Sequence, residues 1–372
     1  MTAQDSARPD GVWQALRGAG LVMGEAPATS PDSPWYVRLM LGLAGWIAAG
    51  FLLGFVAVGL AWVIKNETAC IVVGLLASAA AWLLLRKLGR NEFAAQFALA
   101  VSFAGQALFA YGVFGLFGNA AEAGGAWLLL ALQQAVLTAV MPNPIHRLWS
   151  GFATAVALHM TLRAAGAAFL APALLLGAGA WAWLNEFRWS RFGHVLRPAA
   201  YGVLLALIAL ELAAGWIQPA VGLDVDPTDR RLYGQILSGA VLLAVVWVLL
   251  RRFGARPTGR AAVTVLAGTA LMVLVSLEAP GIAAGLCILL LGFAHGNAVL
   301  AGLGGAALLL YAGGYYYELQ VSLLVKSQVL AATGAVLLTL RWLLLRWLPR
   351  PPASSQREPG QREPSQRESS NG

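Results

Sequence analysis

The fold class is decided by residues 68–117, which read TACIVVGLLASAAAWLLLRKLGRNEFAAQFALAVSFAGQALFAYGVFGLF. Two apolar segments, 68–85 and 93–117, are separated by a short link that carries Arg86, Lys87 and Arg90. A helix of about 20 residues crosses about 30 Å of hydrocarbon. Apolar segments of this length, with basic residues collected between them, predict membrane-spanning helices.

The whole chain has the composition that this stretch suggests. Of its 372 residues, 59% are hydrophobic and 11% are charged, against about 25% charged in an average soluble domain. A soluble fold needs more polar surface than this, so the composition predicts a bilayer as the solvent. The formal net charge of +8 does not indicate a nucleic-acid partner, because the basic residues lie between apolar segments.

Apolar segments repeat along most of the chain and predict an all-α, polytopic transmembrane helical bundle of about 12 spans, with 10 as the alternative. They define a transmembrane helical domain at 35–348. It follows a polar N-terminal tail at 1–34, which contains no run of signal-peptide type. It precedes a tail at 349–372, whose QREPG, QREPS and QRESS repeats predict disorder. The segments are 39–64, 68–85, 93–117, 126–141, 148–163, 167–184, 199–217, 234–250, 261–277, 280–294, 298–316 and 321–345.

The lysines and arginines predict the orientation. With the N-terminus inside, 17 of them fall on the inner side and 4 on the outer side, as short cytoplasmic loops require. Both termini are therefore predicted to be cytoplasmic, with the acidic residues gathered near the outer side. The inner set is Arg8, Arg17, Arg38, Arg86, Lys87, Arg90, Arg147, Arg188, Arg191, Arg197, Arg251, Arg252, Arg256, Arg260, Arg341, Arg346 and Arg350, and the outer set is Lys65, Arg163, Arg230 and Arg231.

Ionisable residues inside the predicted spans are candidate functional residues, because a charge is costly in hydrocarbon. His159 lies near the outer end of the fifth segment, and Glu211 lies about six residues from the outer end of the seventh. Six residues of helix are only about 9 Å, so water could reach Glu211 from the surface. A structural role and a functional role stay open for both residues.

Residues 311–330, YAGGYYYELQVSLLVKSQVL, place Glu318 and Lys326 in an otherwise apolar region. In one interpretation, the three tyrosines at 315–317 belong to the aromatic belt of the outer interface and Glu318 faces water. Lys326 then extends its aliphatic stem toward that interface.

A second interpretation treats this region as one continuous helix. Helical spacing then places Tyr315, Ser322 and Lys326 on one face, with Glu318 nearby. A polar face of this kind must point into the bundle. Glu211, at similar depth, is the candidate counter-ion for Lys326 under this interpretation.

Two stretches resemble a known family. Residues 293–338 read FAHGNAVLAGLGGAALLLYAGGYYYELQVSLLVKSQVLAATGAVLL, and residues 34–55 read PWYVRLMLGLAGWIAAGFLLGF. They are similar to the bacterial multi-spanning membrane protein family catalogued as domain of unknown function 4401, and the similarity extends over about 34–348. The resemblance implies a multi-pass protein of the bacterial inner (cytoplasmic) membrane and no particular activity. The family-signature residues are Gly296, Asn297, Tyr315, Tyr316, Tyr317, Lys326 and Ser327.

Sequence motifs of common enzymes are absent from the chain. It contains no GxxxxGK[ST] or GxSxG motif and no His or Cys pair at metal-ligand spacing. The sequence therefore predicts no catalytic, cofactor-binding or metal residue.

Three function classes stay open. A transporter or permease-like protein is marginally favoured. The alternative is a non-catalytic subunit or sensor of an envelope complex, held by membrane or periplasmic protein partners through an outer acidic face that would favour cationic ligands. An intramembrane enzyme that uses Glu211, His159 and Glu318 comes third. The ligand is not predicted, and the expected partner in every case is the lipid bilayer.

Overall fold

The computed structural model of the protein describes residues 63–88, 91–118, 124–214, 228–254, 259–277 and 280–318, with 17–20 and single positions within 36–54 and 324–346. The six longer ranges form ten α-helices, three short 3₁₀ turns and a short π-helical continuation of the sixth helix at 213–214, and no strand occurs among the described residues. The helices are α1 (Glu67–Leu88), α2 (Glu92–Phe117), α3 (Gly124–Val140), α4 (Pro144–Ala164), α5 (Ala171–Leu184), α6 (Gly193–Leu212), α7 (Thr228–Arg252), α8 (Arg260–Ser276), α9 (Ile282–Ala294) and α10 (Ala298–Glu318).

The second to eleventh predicted apolar segments coincide with these ten helices. Within the described residues, four helical stretches are long and apolar enough to cross a membrane: Glu67–Leu88, Glu92–Phe117, Ser190–Leu212 and Arg231–Arg252. Shorter apolar helices occur at Gly124–Val140, Ala168–Leu184, Arg260–Leu274, Ile282–Ala294 and Ala298–Gly314, and α4 is less apolar than these. In the first and twelfth predicted segments only scattered positions are described, and these are helical, whereas both predicted tails lie almost wholly outside the described residues.

The chain divides into two compact units, of which the first comprises residues 1–62 and 74–106. Within it, α1 and α2 approach closely at Gly105. A Cβ atom added there would lie 2.8 Å from the carbonyl oxygen of Gly74 and 2.9 Å from the Cβ of Ala77. Small residues at such contacts allow close helix packing without a large hydrophobic driving force.

The second unit comprises residues 63–73 and 107–372 and contains the larger apolar core. Leu176, Leu204 and Ile288 are completely buried in this core. In contrast, Leu132 is 55% exposed and Leu309 is 78% exposed, on the sides of their helices that face away from the core. Large apolar side chains that point outward are what helices in a bilayer present to lipid.

Helices α4 and α6 are parallel neighbours held in close contact by two glycines. A Cβ atom added to Gly202 would lie 2.1 Å from the carbonyl oxygen of Leu148, and one added to Gly151 would lie 2.8 Å from the carbonyl oxygen of Ala199. Near the start of both helices, a guanidinium nitrogen of Arg147 donates a hydrogen bond of 2.9 Å to the carbonyl of His194. These contacts set the register of α4 against α6, so their C-terminal ends lie together.

Helix α4 ends in a glycine turn that directs the chain back toward the bundle. Gly166 has a φ of +71°, a left-handed conformation that glycine adopts without a steric penalty. Its N–H donates to the carbonyl of Arg163 at 2.9 Å, and the N–H of Ala167 donates to the carbonyl of Leu162 at 2.8 Å. This is the Schellman hydrogen-bond pattern, and it places the 3₁₀ turn Ala168–Leu170 immediately after the last turn of α4.

Candidate functional site: a polar cavity at one end of the second unit

A cavity of about 100 Å³ lies where α4 and α6 end and where α5 and α7 begin. Its apolar lining includes Leu175, Leu207 and Leu210. The polar lining comes from α4, α6 and α7 and consists of His159, Arg163, Glu211, Arg231 and Gln235. Two of the residues predicted from sequence, His159 and Glu211, therefore meet in one cavity although they belong to different helices.

The register of α4 against α6 explains why they meet. His159 is eight residues beyond Gly151, and Glu211 is nine residues beyond Gly202. At 1.5 Å per residue both side chains lie about 12–14 Å past the glycine contacts, on parallel helices. The depths of the two residues are therefore matched by the packing of the helices.

Glu211 is the most buried ionisable residue of the cavity. Glu211 is only 9% exposed, and it lies in the last α-helical turn of α6, which continues as π-helix at 213–214. Within the described residues, its carboxylate accepts no hydrogen bond and forms no salt bridge. It interacts electrostatically with Arg231 and with the phenol of Tyr311. An ionised carboxylate in this position requires compensation from Arg231 or from a bound cation.

Helix α7 supplies Arg231 and Gln235 from the same face, because they are four residues apart. Gln235 is 4% exposed, and its side chain hydrogen-bonds to no residue in the described ranges. Between them lies Gly234, where an added Cβ atom would be 2.8 Å from the carbonyl oxygen of Phe169. The absence of a side chain at 234 lets α7 pack against the turn that follows α4, which closes this side of the cavity.

Helix α4 supplies His159 and Arg163, which are also four residues apart and share a face. His159 is partly buried, whereas Arg163 is exposed at the end of the helix. The cavity thus combines two guanidinium groups, one carboxylate, one imidazole and one amide. Such a set can bind a small polar molecule through charges of both signs and through hydrogen bonds that the side chains donate and accept.

Sequence reasoning missed Arg163, Arg231 and Gln235 as members of the site. The two arginines were counted as exceptions on the outer side, and Gln235 was not singled out. The signal that could have found them is their spacing. Arg163 follows the candidate His159 by one helical turn, and Gln235 follows Arg231 by one turn.

The other predicted candidates are only partly described. Ser322 and Lys326 lie outside the described residues, so the predicted pairing of Lys326 with Glu211 stays a prediction. Glu318 is the last residue of α10, and the three tyrosines at 315–317 are helical; the side chains of all four are not described. Ser327 is helical and donates a hydrogen bond of 2.8 Å from Oγ to the carbonyl of Leu324.

Two signature residues, Gly296 and Asn297, form the turn between α9 and α10. Gly296 has a φ of +60°. The side-chain oxygen of Asn297 accepts a hydrogen bond from the N–H of Leu300 at 3.1 Å, and its nitrogen donates to the hydroxyl of Tyr201 at 2.7 Å. The ring of Tyr201 makes an edge contact with Trp183, with centroids 5.0 Å apart. These two signature residues therefore join α10 to α6 and have a structural role.

The fold and the cavity together define an α-helical protein with several helices able to cross a membrane and a polar cavity between helix ends. Comparison with family models gives a more particular assignment. The chain belongs to the family described as Domain of unknown function (DUF4401), whose model matches residues 34–347. Comparison with the curated proteins and with the solved structures gives no match.

Proposed function

We propose that the protein is a permease-like protein of the bacterial inner membrane and that the cavity is its solute-binding site. One observation carries the proposal: His159, Glu211 and Arg231, from three different helices, converge in a single cavity of about 100 Å³. Ionisable groups are costly in the hydrocarbon region and mark solute and ion pathways when they face a common cavity. With both termini in the cytoplasm, this cavity is on the outer side, so solute enters from outside the cell.

A sensor or non-catalytic subunit is the second candidate. It is favoured by the packing below the cavity, where Leu176 and Leu204 are completely buried and Leu207 is 1% exposed. In a sensor, solute would bind above this apolar layer without crossing it. The bound state would then be transmitted to a membrane or periplasmic partner protein.

Cysteine labelling from both sides of the membrane separates the two candidates. The test replaces Gln235, in the cavity lining, with cysteine. Cys70 and Cys287 are completely buried, so the unmodified protein is the control for background reaction. A membrane-impermeant thiol reagent is applied to intact cells and to inverted membrane vesicles.

A permease predicts that a cysteine at 235 reacts from both sides, because the site alternates between them. Reaction from the outer side alone assigns the protein to the sensor class. The Ala165→Cys variant, in the exposed turn after α4, reports that the reagent reaches the outer surface. If Ala165→Cys reacts while Gln235→Cys is silent from both sides, the cavity takes no solute from water and the proposal is wrong.

A further inference from the structure

We propose that the cavity selects a small zwitterion, a molecule with one anionic group and one ammonium group about the size of a small α-amino acid. The inference rests on the proposed function only in using the same cavity, since it concerns what binds and not whether the ligand crosses the membrane. Two kinds of molecule carry these two groups: a free zwitterion such as an amino acid, and a phospholipid with a zwitterionic headgroup.

The cavity is lined by both acidic and basic side chains, and within the described residues no direct ion pair joins them. Arg163 and Arg231 supply guanidinium groups and Glu211 supplies a carboxyl group, whose ionised form a bound ammonium group would stabilise. In the described residues, none of these three side chains makes a hydrogen bond or an ion pair within 4.0 Å. A site for a simple anion would not contain the carboxylate, and a site for a simple cation would not contain two guanidinium groups. A zwitterion satisfies both signs.

Burial indicates which end of the ligand lies where. Glu211 and Gln235 are 9% and 4% exposed, whereas Arg163 is exposed and Arg231 is partly buried. The ammonium group therefore faces Glu211 in the buried part of the cavity, and the anionic group faces the two arginines toward water. The amide of Gln235, which can donate and accept, is available to either group.

The size of the cavity limits the ligand. A volume of about 100 Å³ corresponds to about seven to ten water-sized positions, at about 10–15 Å³ for each. Glycine, alanine and serine have about five to seven non-hydrogen atoms, so they are comparable in size to this number of water positions. The aliphatic lining by Leu175, Leu207 and Leu210 suits a short apolar side chain.

The test uses the full chain in nanodiscs of phosphatidylglycerol, which carries no ammonium group. The probes are glycine, L-alanine and L-serine, with propionate and ethylamine as analogues that each lack one charged group, at equal ionic strength. The measurement is the midpoint of thermal unfolding as a function of probe concentration, because a ligand of the folded state raises it. A second set of nanodiscs contains phosphatidylethanolamine.

We expect at least one of the three amino acids to raise the midpoint, with an affinity at least tenfold above those of propionate and ethylamine. Glu211→Gln and Arg231→Gln should each lower that affinity at least tenfold. The control is Arg188→Gln, an exposed arginine far from the cavity lining, and it should not change the affinity. If the amino acids have no effect but phosphatidylethanolamine raises the midpoint of the wild type and not of Glu211→Gln, the zwitterion is a lipid headgroup.

Two results would overturn the inference. Propionate binding as tightly as the amino acids, with Glu211→Gln binding it more tightly, would identify a simple anion site. No shift with any amino acid or with phosphatidylethanolamine would show that the cavity binds no small zwitterion. Neither result bears on the labelling of Gln235→Cys from the two sides of the membrane, so the permease proposal fails or stands independently.

Discussion

Asn297 shows how one side chain can fix two helices at once. Its amide oxygen completes the hydrogen bonding at the first turn of α10, and its amide nitrogen reaches the Tyr201 hydroxyl on α6. The carboxamide makes both contacts, one through its oxygen and one through its nitrogen. A hydroxyl residue could accept the first hydrogen bond but could not also reach Tyr201.

We expect Asn297→Ala to lower the free energy of unfolding by about 1–3 kcal/mol, the sum of a lost N-cap and a lost side-chain hydrogen bond. Tyr201→Phe removes only the second contact and should cost about 0.5–1.5 kcal/mol. Denaturant titration in detergent micelles measures both values. Equal losses in the two variants would mean that the cap contributes nothing to stability.

At the scale of helices, Gly202 between α4 and α6 leaves the least space for an added Cβ atom among the described glycines of the second unit. Adding one methyl group at Gly202 places it 2.1 Å from the carbonyl oxygen of Leu148, well inside van der Waals contact. Backbone atoms cannot move aside as a flexible side chain can. The two helices would have to separate.

The Gly202→Ala variant should therefore lower the free energy of unfolding by about 1–3 kcal/mol, as overpacking in a tight core does. The matched control is Gly305→Ala in α10, where an added Cβ atom meets nothing within 4 Å. Alanine has the higher helix propensity, so this control should be neutral or stabilising by up to about 1 kcal/mol. Equal effects in the two variants would contradict the packing argument.

Gly234 lies on the cavity wall, so the same packing argument can be tested there through the accessibility of the cavity. Gly234→Ala presses on the carbonyl of Phe169, 2.8 Å from the added Cβ atom, and should displace the turn that follows α4. We expect the rate of thiol labelling of Gln235→Cys to change at least threefold in this background. Gly177→Ala, whose Cβ atom would meet only a methyl group of Val241 at 4.0 Å, should leave that rate unchanged.

The positions of the helices could be predicted from sequence because each apolar run marks the part of the chain that forms a helix. The predicted segment 93–117 corresponds to α2 (Glu92–Phe117), and the predicted segment 280–294 corresponds to α9 (Ile282–Ala294). Segment 199–217 was placed less well, since α6 begins at Gly193 and includes the polar Arg197 in its first turns. Charged residues near a helix start are compatible with a helix that continues beyond the apolar region.

The candidate site could be predicted only in part. His159 and Glu211 stood out because they are ionisable within apolar segments, whereas Arg163 and Arg231 resembled ordinary loop charges. Which side chains face one another depends on the rotation of each helix about its axis. Helices that are apolar on nearly every face encode that rotation weakly, and it is set instead by contacts such as Gly202 against Leu148.

At the scale of the whole molecule, the distribution of basic residues predicts that the cavity is outside and that the turn around Arg188 is inside. Ala165→Cys should react with an impermeant thiol reagent in intact cells, whereas Arg188→Cys should react only after the cells are permeabilised. Both positions are exposed, so accessibility within the fold does not explain a difference. The opposite pattern would mean that both termini are outside the cytoplasm.

The contact of α4 with α6 also restricts how the cavity can open. Because α4 and α6 approach backbone to backbone at Gly151 and Gly202, we expect them to move together as one body that carries His159, Arg163 and Glu211. The wall formed by α5 and α7 must then supply the displacement, with Gly234 and Phe169 at the sliding surface. Distances between spin labels on α4 and α6 would stay constant while those between α4 and α7 changed, on the microsecond-to-millisecond timescale of collective helix motion.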